Sequence, residues 1–285
     1  MVMERVLVTG AKGMLGHDLT ETLSRRYEVY GRDIEDFDIT RERETMDAIS
    51  GIRPGIVVHA AAYTDVDGCE SHVELAHAIN GDGTRNVASA CRKLGSKMVY
   101  MSTDYVFDGT KSGAYSEEDS TCPINTYGRS KLEGERWVRT MVDQFAIVRT
   151  AWLFGREGNN FVKTVVRLAK EKRALSVVND QVGSPTYTVD LSRAIGALME
   201  KRCTGIYHIT NGEICSWYEY AREILAMSGL SGIPIHPISS DQLNRAAKRP
   251  HNSVFARGKF EGETGYRMRP WREALRDYLE REAMQ

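Results

Sequence analysis

Gly10, Gly13 and Gly16 stand three residues apart in Val8-Thr9-Gly10-Ala11-Lys12-Gly13-Met14-Leu15-Gly16, where an aliphatic, β-branched run gives way to a helical pattern. A strand that feeds a helix through such a turn brings bare backbone close to another molecule. It also aims the free amides of the helix N-terminus at an anionic group. In this spacing Gly10 takes the tight turn, Gly13 removes the side chain that would block a pyrophosphate, and Gly16 lets the helix lie close on the strand. An ordinary strand-to-helix turn is the alternative, and the position directly after the first strand favours the phosphate loop.

The pattern downstream agrees. Runs rich in β-branched residues at 6–9, 28–31, 56–59, 97–102, 145–149 and 205–209 alternate with helical spacing at 15–27, 41–52, 73–94 and 127–142. That rhythm predicts an α/β fold, a doubly wound parallel sheet of the Rossmann-like kind with helices on both faces. Residues 1–150 are read as a dinucleotide-binding domain to which 178–215 return. A smaller α/β substrate-binding region is expected from 151–177 and 216–265, with a C-terminal helix over 266–285. Beyond 149 the spacing predicts helices at 161–172, 189–200 and 217–228, a loop at 179–186, a Pro-containing segment at 233–238 and a basic loop at 246–253.

With 38 basic and 39 acidic side chains among 285 residues, the formal net charge of -1 supplies no global field for nucleic acid or an anionic membrane. Apolar stretches such as 56–62 fall far short of the roughly 20 residues a membrane helix needs. No secretory signal precedes the first strand, so a cytoplasmic location is expected. Cys69, Cys91, Cys122, Cys203 and Cys215 are scattered without Cys-x-x-Cys spacing, and are expected as free thiols, mostly buried. The partner expected is a small molecule at a local site, with a homodimer as a further possibility.

The second strand ends at Arg32-Asp33, about twenty residues past the glycine turn, where the adenosine ribose of a dinucleotide should lie. Asp33 can accept from a 2′-hydroxyl, as NADH requires. Arg32 and Lys12 can instead pair with the 2′-phosphate of NADPH, or be solvated surface charges. NADPH or NADH is therefore expected, with a lean to NADPH. Asp38 and Ile39 are placed near the adenine edge. Ala60, Ala61, Ala62, Tyr63 and Thr64 close a strand with mostly small side chains that let a cofactor press on backbone, or simply pack tightly.

Tyr127 and Lys131 sit at i and i+4, on one helix face. A phenol with a pKa of about 10 is a reluctant acid, and a neighbouring ammonium favours its ionised form. Thr103 falls where a strand meets its C-terminal loop, the edge at which doubly wound sheets bind ligands. Its hydroxyl can donate to a carbonyl oxygen while Tyr127 supplies a proton, or satisfy local backbone instead. Carbonyl reduction by a nicotinamide dinucleotide is the expected chemistry.

Together these elements resemble the extended short-chain dehydrogenase/reductase family, which acts mostly on nucleotide sugars. More narrowly, STDYVFDG from Ser102, INTYGRSKLEGE from Ile124, VRTAWLFG from Val148, GNNF from Gly158, NDQVGSPT from Asn179 and KRPHNS from Lys248 resemble the dTDP-4-dehydrorhamnose reductase family along the whole chain. The resemblance implies catalytic roles for Thr103, Tyr127 and Lys131. It implies cofactor contacts at Gly13, Met14, Leu15, Asp38, Ile39, Ala62, Tyr63, Thr64, Tyr127 and Lys131, and substrate contacts at Thr103, Asp104, Tyr127 and Trp152. Arg249 and His251 are expected to face the diphosphate, since an Arg fork suits phosphate oxygens, or to belong to a Pro-pinned surface loop. Some family members hold magnesium with acidic residues at a dimer interface. Asp18 is one carboxylate in such a place, and no metal is expected.

The implied reaction is NAD(P)H-dependent reduction of the 4-keto group of dTDP-4-dehydro-6-deoxy-L-mannose to dTDP-L-rhamnose. A 4,6-dehydratase of the same family would need an Asp-Glu pair after the threonine, whereas here Asp104 is followed by Tyr105. Reduction or epimerisation of another nucleotide sugar is a further alternative. So is a non-catalytic dinucleotide-binding subunit, because a related family uses this fold to regulate methionine adenosyltransferase in animals.

Overall fold

The computed structural model of the protein describes residues 3–283. Its main sheet has six strands: β1 (Arg5–Thr9), β2 (Glu28–Arg32), β3 (Ile56–His59), β4 (Lys97–Thr103), β5 (Phe145–Thr150) and β6 (Gly205–His208). They lie in the order β6-β5-β4-β3-β1-β2, and every neighbouring pair is parallel. β1 is thus flanked by β2 on one side and β3 on the other. At that reversal a crevice opens beyond the carboxyl ends of the strands.

Alternation along β1 explains the two layers of helix. Val6 and Val8 pack with Leu15, Leu19 and Leu23 of the helix Met14–Leu23 and with Leu191 and Ile195 of the helix Thr188–Glu200. Leu7, between them, faces the opposite way. It shares a core with Ile49 of Glu42–Ile52, Val87 of Thr84–Leu94 and Val138 of Thr126–Met141. With helices on both faces, the sheet is doubly wound, as the sequence rhythm predicts.

A second core is built past β5. Phe154, Val165, Tyr220, Trp271 and Leu275 join the helices Phe161–Glu171, Trp217–Met227 and Trp271–Ala283. A parallel pair, Leu175–Val178 with Ile235–Ile238, completes it. The C-terminal helix expected over 266–285 starts later, at Trp271. Positions 1, 2, 284 and 285 of the expected N-terminal domain and C-terminal helix lie outside the described residues. Four of the five cysteines are buried free thiols, and Cys122 is exposed.

Three further elements differ from expectation. The first helix ends at Leu23 because residues 24–27 turn back to enter β2, the Tyr27 N–H closing on the Leu23 carbonyl. The expected loop at 179–186 contains two short strands, Val182–Gly183 and Thr186–Tyr187, which pair with Cys215–Ser216 and Leu153–Phe154. The expected helix at 73–94 is divided into Val73–His77, a π turn over Ala78–Gly83, and Thr84–Leu94. Its wider turn carries the buried side chain of Asn80, whose Oδ1 accepts from the Tyr63 N–H (2.9 Å) and whose Nδ2 donates to the Tyr63 carbonyl (3.0 Å) and to Ser130 Oγ (3.0 Å). One side chain therefore ties the segment after β3 to the helix that carries Tyr127 and Lys131.

Candidate active site

A cavity of about 880 Å³ follows the carboxyl ends of the strands, from the glycine turn to the second core. Gly10 has φ +70°, and a Cβ there would lie 2.7 Å from the Ala61 backbone, so the turn is pressed onto the segment after β3. A Cβ on Gly16 would fall 1.9 Å from the Gly10 carbonyl oxygen, which is the close approach of helix to turn. Gly13 differs, since a Cβ there meets only the Gly10 oxygen, at 3.2 Å. It lines the cavity as the N-cap of Met14–Leu23 and brings no side chain to cap the helix amides. That bare, electropositive corner fits a pyrophosphate.

At the far end of this arm, Asp33 Oδ2 accepts the Lys12 N–H at 2.8 Å and Oδ1 accepts the Ile34 N–H at 2.8 Å. Both expected cations meet carboxylates: Lys12 Nζ lies 3.1 Å from Glu35, and Arg32 Nε lies 3.8 Å from Asp36. All these pairs are exposed, so their ammonium and guanidinium groups can exchange partners at little cost. Met14, Leu15, Arg32, Asp33, Asp38, Ile39, Ala60, Ala61, Ala62 and Thr64 all line the cavity. Tyr63 does not line it. Its backbone is fixed by Asn80, and its hydroxyl lies 2.6 Å from where a Cβ on Gly68 would stand.

The central part of the cavity gathers Thr103, Asp104, Tyr127, Lys131 and Trp152. Thr103 closes β4, and its hydroxyl donates to Asp104 Oδ1 at 2.9 Å while accepting the Tyr105 N–H at 3.2 Å. Asp104 is held from the other side by the Ser253 hydroxyl. Burial drives this carboxyl up to about 6 against those hydrogen bonds. Tyr127 lies in the first turn of the helix Thr126–Met141, N-capped by Asn125, whose Oδ1 accepts the Gly128 N–H at 2.8 Å.

The expected depression of the Tyr127 pKa by Lys131 is not found. Desolvation, with the Asp104 charge second, pushes the phenol well above its ordinary value. Desolvation also brings Lys131 down to about 7, opposed by Glu135. The Lys131 ammonium stands 4.2 Å from the centroid of the buried Tyr100 ring. Tyr127 is thus kept protonated, the state a proton donor needs.

Arg249 and His251 lie off the cavity. The Arg249 guanidinium grips Asp67 through Nη1 to Oδ1 (3.0 Å) and Nη2 to Oδ2 (2.8 Å), and its pairing with Asp67, reinforced by Arg245, holds that carboxyl down at about 2. His251 donates from Nδ1 to the Asp180 carbonyl at 2.9 Å. The Asp18 carboxylate accepts from the Thr188 hydroxyl and lies within a small group with His17 and Glu21.

Sequence reasoning assigned no role to Glu135, Asn80 or Ser253. Glu135 was within reach of it, lying four residues after Lys131 on the same helix face. The partners of Asn80 and Ser253 come from distant segments, and no local spacing marks them.

The RmlD substrate binding domain family matches residues 3–284. The chain belongs to this family. It is 42% identical over 98% of its length to the spore coat polysaccharide biosynthesis protein SpsK of Bacillus subtilis, covering 98% of that protein. It is 40% identical to a dTDP-4-dehydrorhamnose reductase of Aggregatibacter actinomycetemcomitans, covering 96% of this chain and 98% of that one. A crystal structure of dTDP-4-dehydrorhamnose reductase from Bacillus anthracis in complex with NADP superposes with a TM-score of 0.95 at 42% identity. That alignment covers 98% of this chain and all of the other. As an RmlD-family protein, this chain has an oxidoreductase's fold and cavity.

Proposed function

We propose that this RmlD-family protein reduces the 4-keto group of dTDP-4-dehydro-6-deoxy-L-mannose to give dTDP-L-rhamnose, using NAD(P)H. The observation that carries the reading is convergence: one cavity holds the bare glycine turn at one end and Thr103, Tyr127 and Lys131 beside an aromatic wall further along. When bound there, the dinucleotide supplies hydride. Gly10, Gly13 and Gly16 leave room for its pyrophosphate, and Asp33, Arg32 and Lys12 meet its adenosine end.

Tyr127 holds the proton that the carbonyl oxygen must gain, because burial keeps its phenol un-ionised at neutral pH. Thr103 turns its hydroxyl from Asp104 to the same oxygen, so that two donors steady the developing charge. Lys131 adds positive charge on the same helix face. With its pKa near 7 it needs an anionic or hydroxyl-bearing neighbour to remain an ammonium at higher pH.

In this reading residues 1–150 with 178–215 hold the dinucleotide, and 151–177 with 216–265 hold the nucleotide sugar. The C-terminal helix braces the second group through their shared core. NADPH is the preferred donor, since the carboxylates that pair with Lys12 and Arg32, Glu35 and Asp36, are exposed and can give way to a 2′-phosphate. Among the described residues no helix is long and apolar enough to cross a membrane. A cytoplasmic location suits a reaction between two charged, dissolved small molecules, and a homodimer is tested by sedimentation velocity.

NADPH carrying deuterium at both positions of its nicotinamide C4 tests the chemistry. The expected product is dTDP-rhamnose with deuterium at sugar C4. A consumed keto-sugar without label would reject hydride transfer.

A further inference from the structure

Trp152 has φ +52°, a left-handed conformation that bulky side chains rarely adopt. Such a residue persists when its surroundings over-determine it, and two neighbours do so here. Its indole stacks on Trp217 with ring centroids 3.6 Å apart and planes 12° apart. A Cβ on the buried Gly183 would stand 2.7 Å from Trp152 Cε2 and 2.9 Å from Cζ2, so only glycine leaves the indole its seat. The Trp152 carbonyl accepts the Thr186 N–H at 3.1 Å, fixing the backbone as well.

Trp217 is itself well anchored. It begins the helix Trp217–Met227, whose capping box joins Ser216 and Glu219, and it packs against Phe161 at 4.5 Å between centroids. Trp152 lines the cavity, and neither Trp217 nor Gly183 is among its lining residues. The location of the wall matters. Thr103 and Thr150 are register partners on β4 and β5, so Trp152, two residues past Thr150, stands close to the reacting end of the cavity.

We infer that Trp217 and Gly183 are positioning residues that hold the Trp152 indole as a fixed wall for the hexose ring of the substrate. This rests on the proposed keto-sugar reduction. A 6-deoxyhexose, with a methyl group and C–H faces, is the class of ring an indole surface receives. Gly183 also gives the NDQVGSPT segment a physical purpose, since its glycine is the space the tryptophan occupies.

The test compares wild type with Trp217→Leu, Trp217→Phe and Gly183→Ala, measuring KM and kcat for the keto-sugar, the Kd for NADPH, and the near-ultraviolet circular dichroism of the stacked indoles. Trp217→Leu is expected to raise KM by about ten-fold and to lose the indole dichroism, with NADPH affinity unchanged. Trp217→Phe restores most of the KM, because a ring still covers the indole. Gly183→Ala raises KM without removing an aromatic group, and it decides the matter if the leucine variant does not fold. Unchanged KM in folded Trp217→Leu or Gly183→Ala, or a leucine variant no worse than the phenylalanine one, would overturn the inference while leaving the reduction intact. A wild-type protein that binds NADPH but reduces no keto-sugar would overturn the proposed function, and this inference with it.

Discussion

Arg149 and Glu135 form a closed ion pair inside the protein: Nε to Oε1 spans 2.8 Å and Nη2 to Oε2 2.7 Å, with side chains 3% and 1% exposed. Ser102, the residue before Thr103, donates to the same Oε1 at 2.6 Å. The pair therefore links β5, β4 and the helix of Tyr127, one residue away from Thr103. Glu135→Gln leaves a guanidinium buried without its counter-charge, and the expected loss is about 3–5 kcal/mol. Urea unfolding measures it. Glu135→Leu with Arg149→Leu should be more stable than Glu135→Gln alone, and a double variant that is worse would contradict the buried-charge explanation.

Tyr127→Phe deletes one hydroxyl and little surface. Turnover should fall by about 10²–10⁴, the usual contribution of a positioned proton donor, while the NADPH Kd stays within about two-fold. Single-turnover kinetics beside fluorescence titration separate the two quantities. Equal loss of both would make Tyr127 a binding residue.

Asp104 gives the fold a pH dependence. Burial raises this carboxyl from an ordinary 3.8 to about 6, so the native state holds the proton more tightly than the unfolded chain does. The resulting stability is complete below about 3.8 and is lost as pH rises through about 6, a difference on the order of 3 kcal/mol. Asp104→Asn stays neutral and keeps hydrogen-bonding capacity toward Thr103 and Ser253. Its stability should match wild type near pH 4 and exceed it at pH 8. Identical denaturation midpoints at both pH values would show that Asp104 is not held in this environment.

The glycine turn separates folding from binding. Gly16→Ala forces a methyl to within 1.9 Å of the Gly10 oxygen, so it should destabilise the protein by about 1–3 kcal/mol or more. Gly13→Val directs its bulk into the cavity mouth and should leave the melting temperature near that of wild type while abolishing dinucleotide binding. Calorimetry on both variants checks the contrast, and a Gly13→Val protein with normal NADPH affinity would move the pyrophosphate elsewhere.

What was legible in the sequence is what short-range rules govern. The glycine spacing is dictated by backbone contacts within one turn, and Tyr127 with Lys131 is dictated by the helical repeat. The rhythm of strand-like and helical segments similarly foretells helices on both faces of the sheet. Long-range partners leave no such trace. Trp152 and Trp217 lie 65 residues apart in the chain, and no local spacing marks them as a stack. Nothing in the basic loop around Arg249 shows that Asp67 will claim its guanidinium. The direction of the Tyr127 pKa was also hidden, because it depends on how deeply the phenol is buried and on Asp104, not on the lysine four residues away.

The most direct test of the account is the initial rate of NADPH and NADH oxidation by the purified protein with dTDP-4-dehydro-6-deoxy-L-mannose, generated in place by the upstream epimerase, with the product identified by mass. The account predicts oxidation of the dinucleotide in step with formation of dTDP-rhamnose, faster with NADPH than with NADH. Binding of the dinucleotide with no oxidation of either form would contradict it.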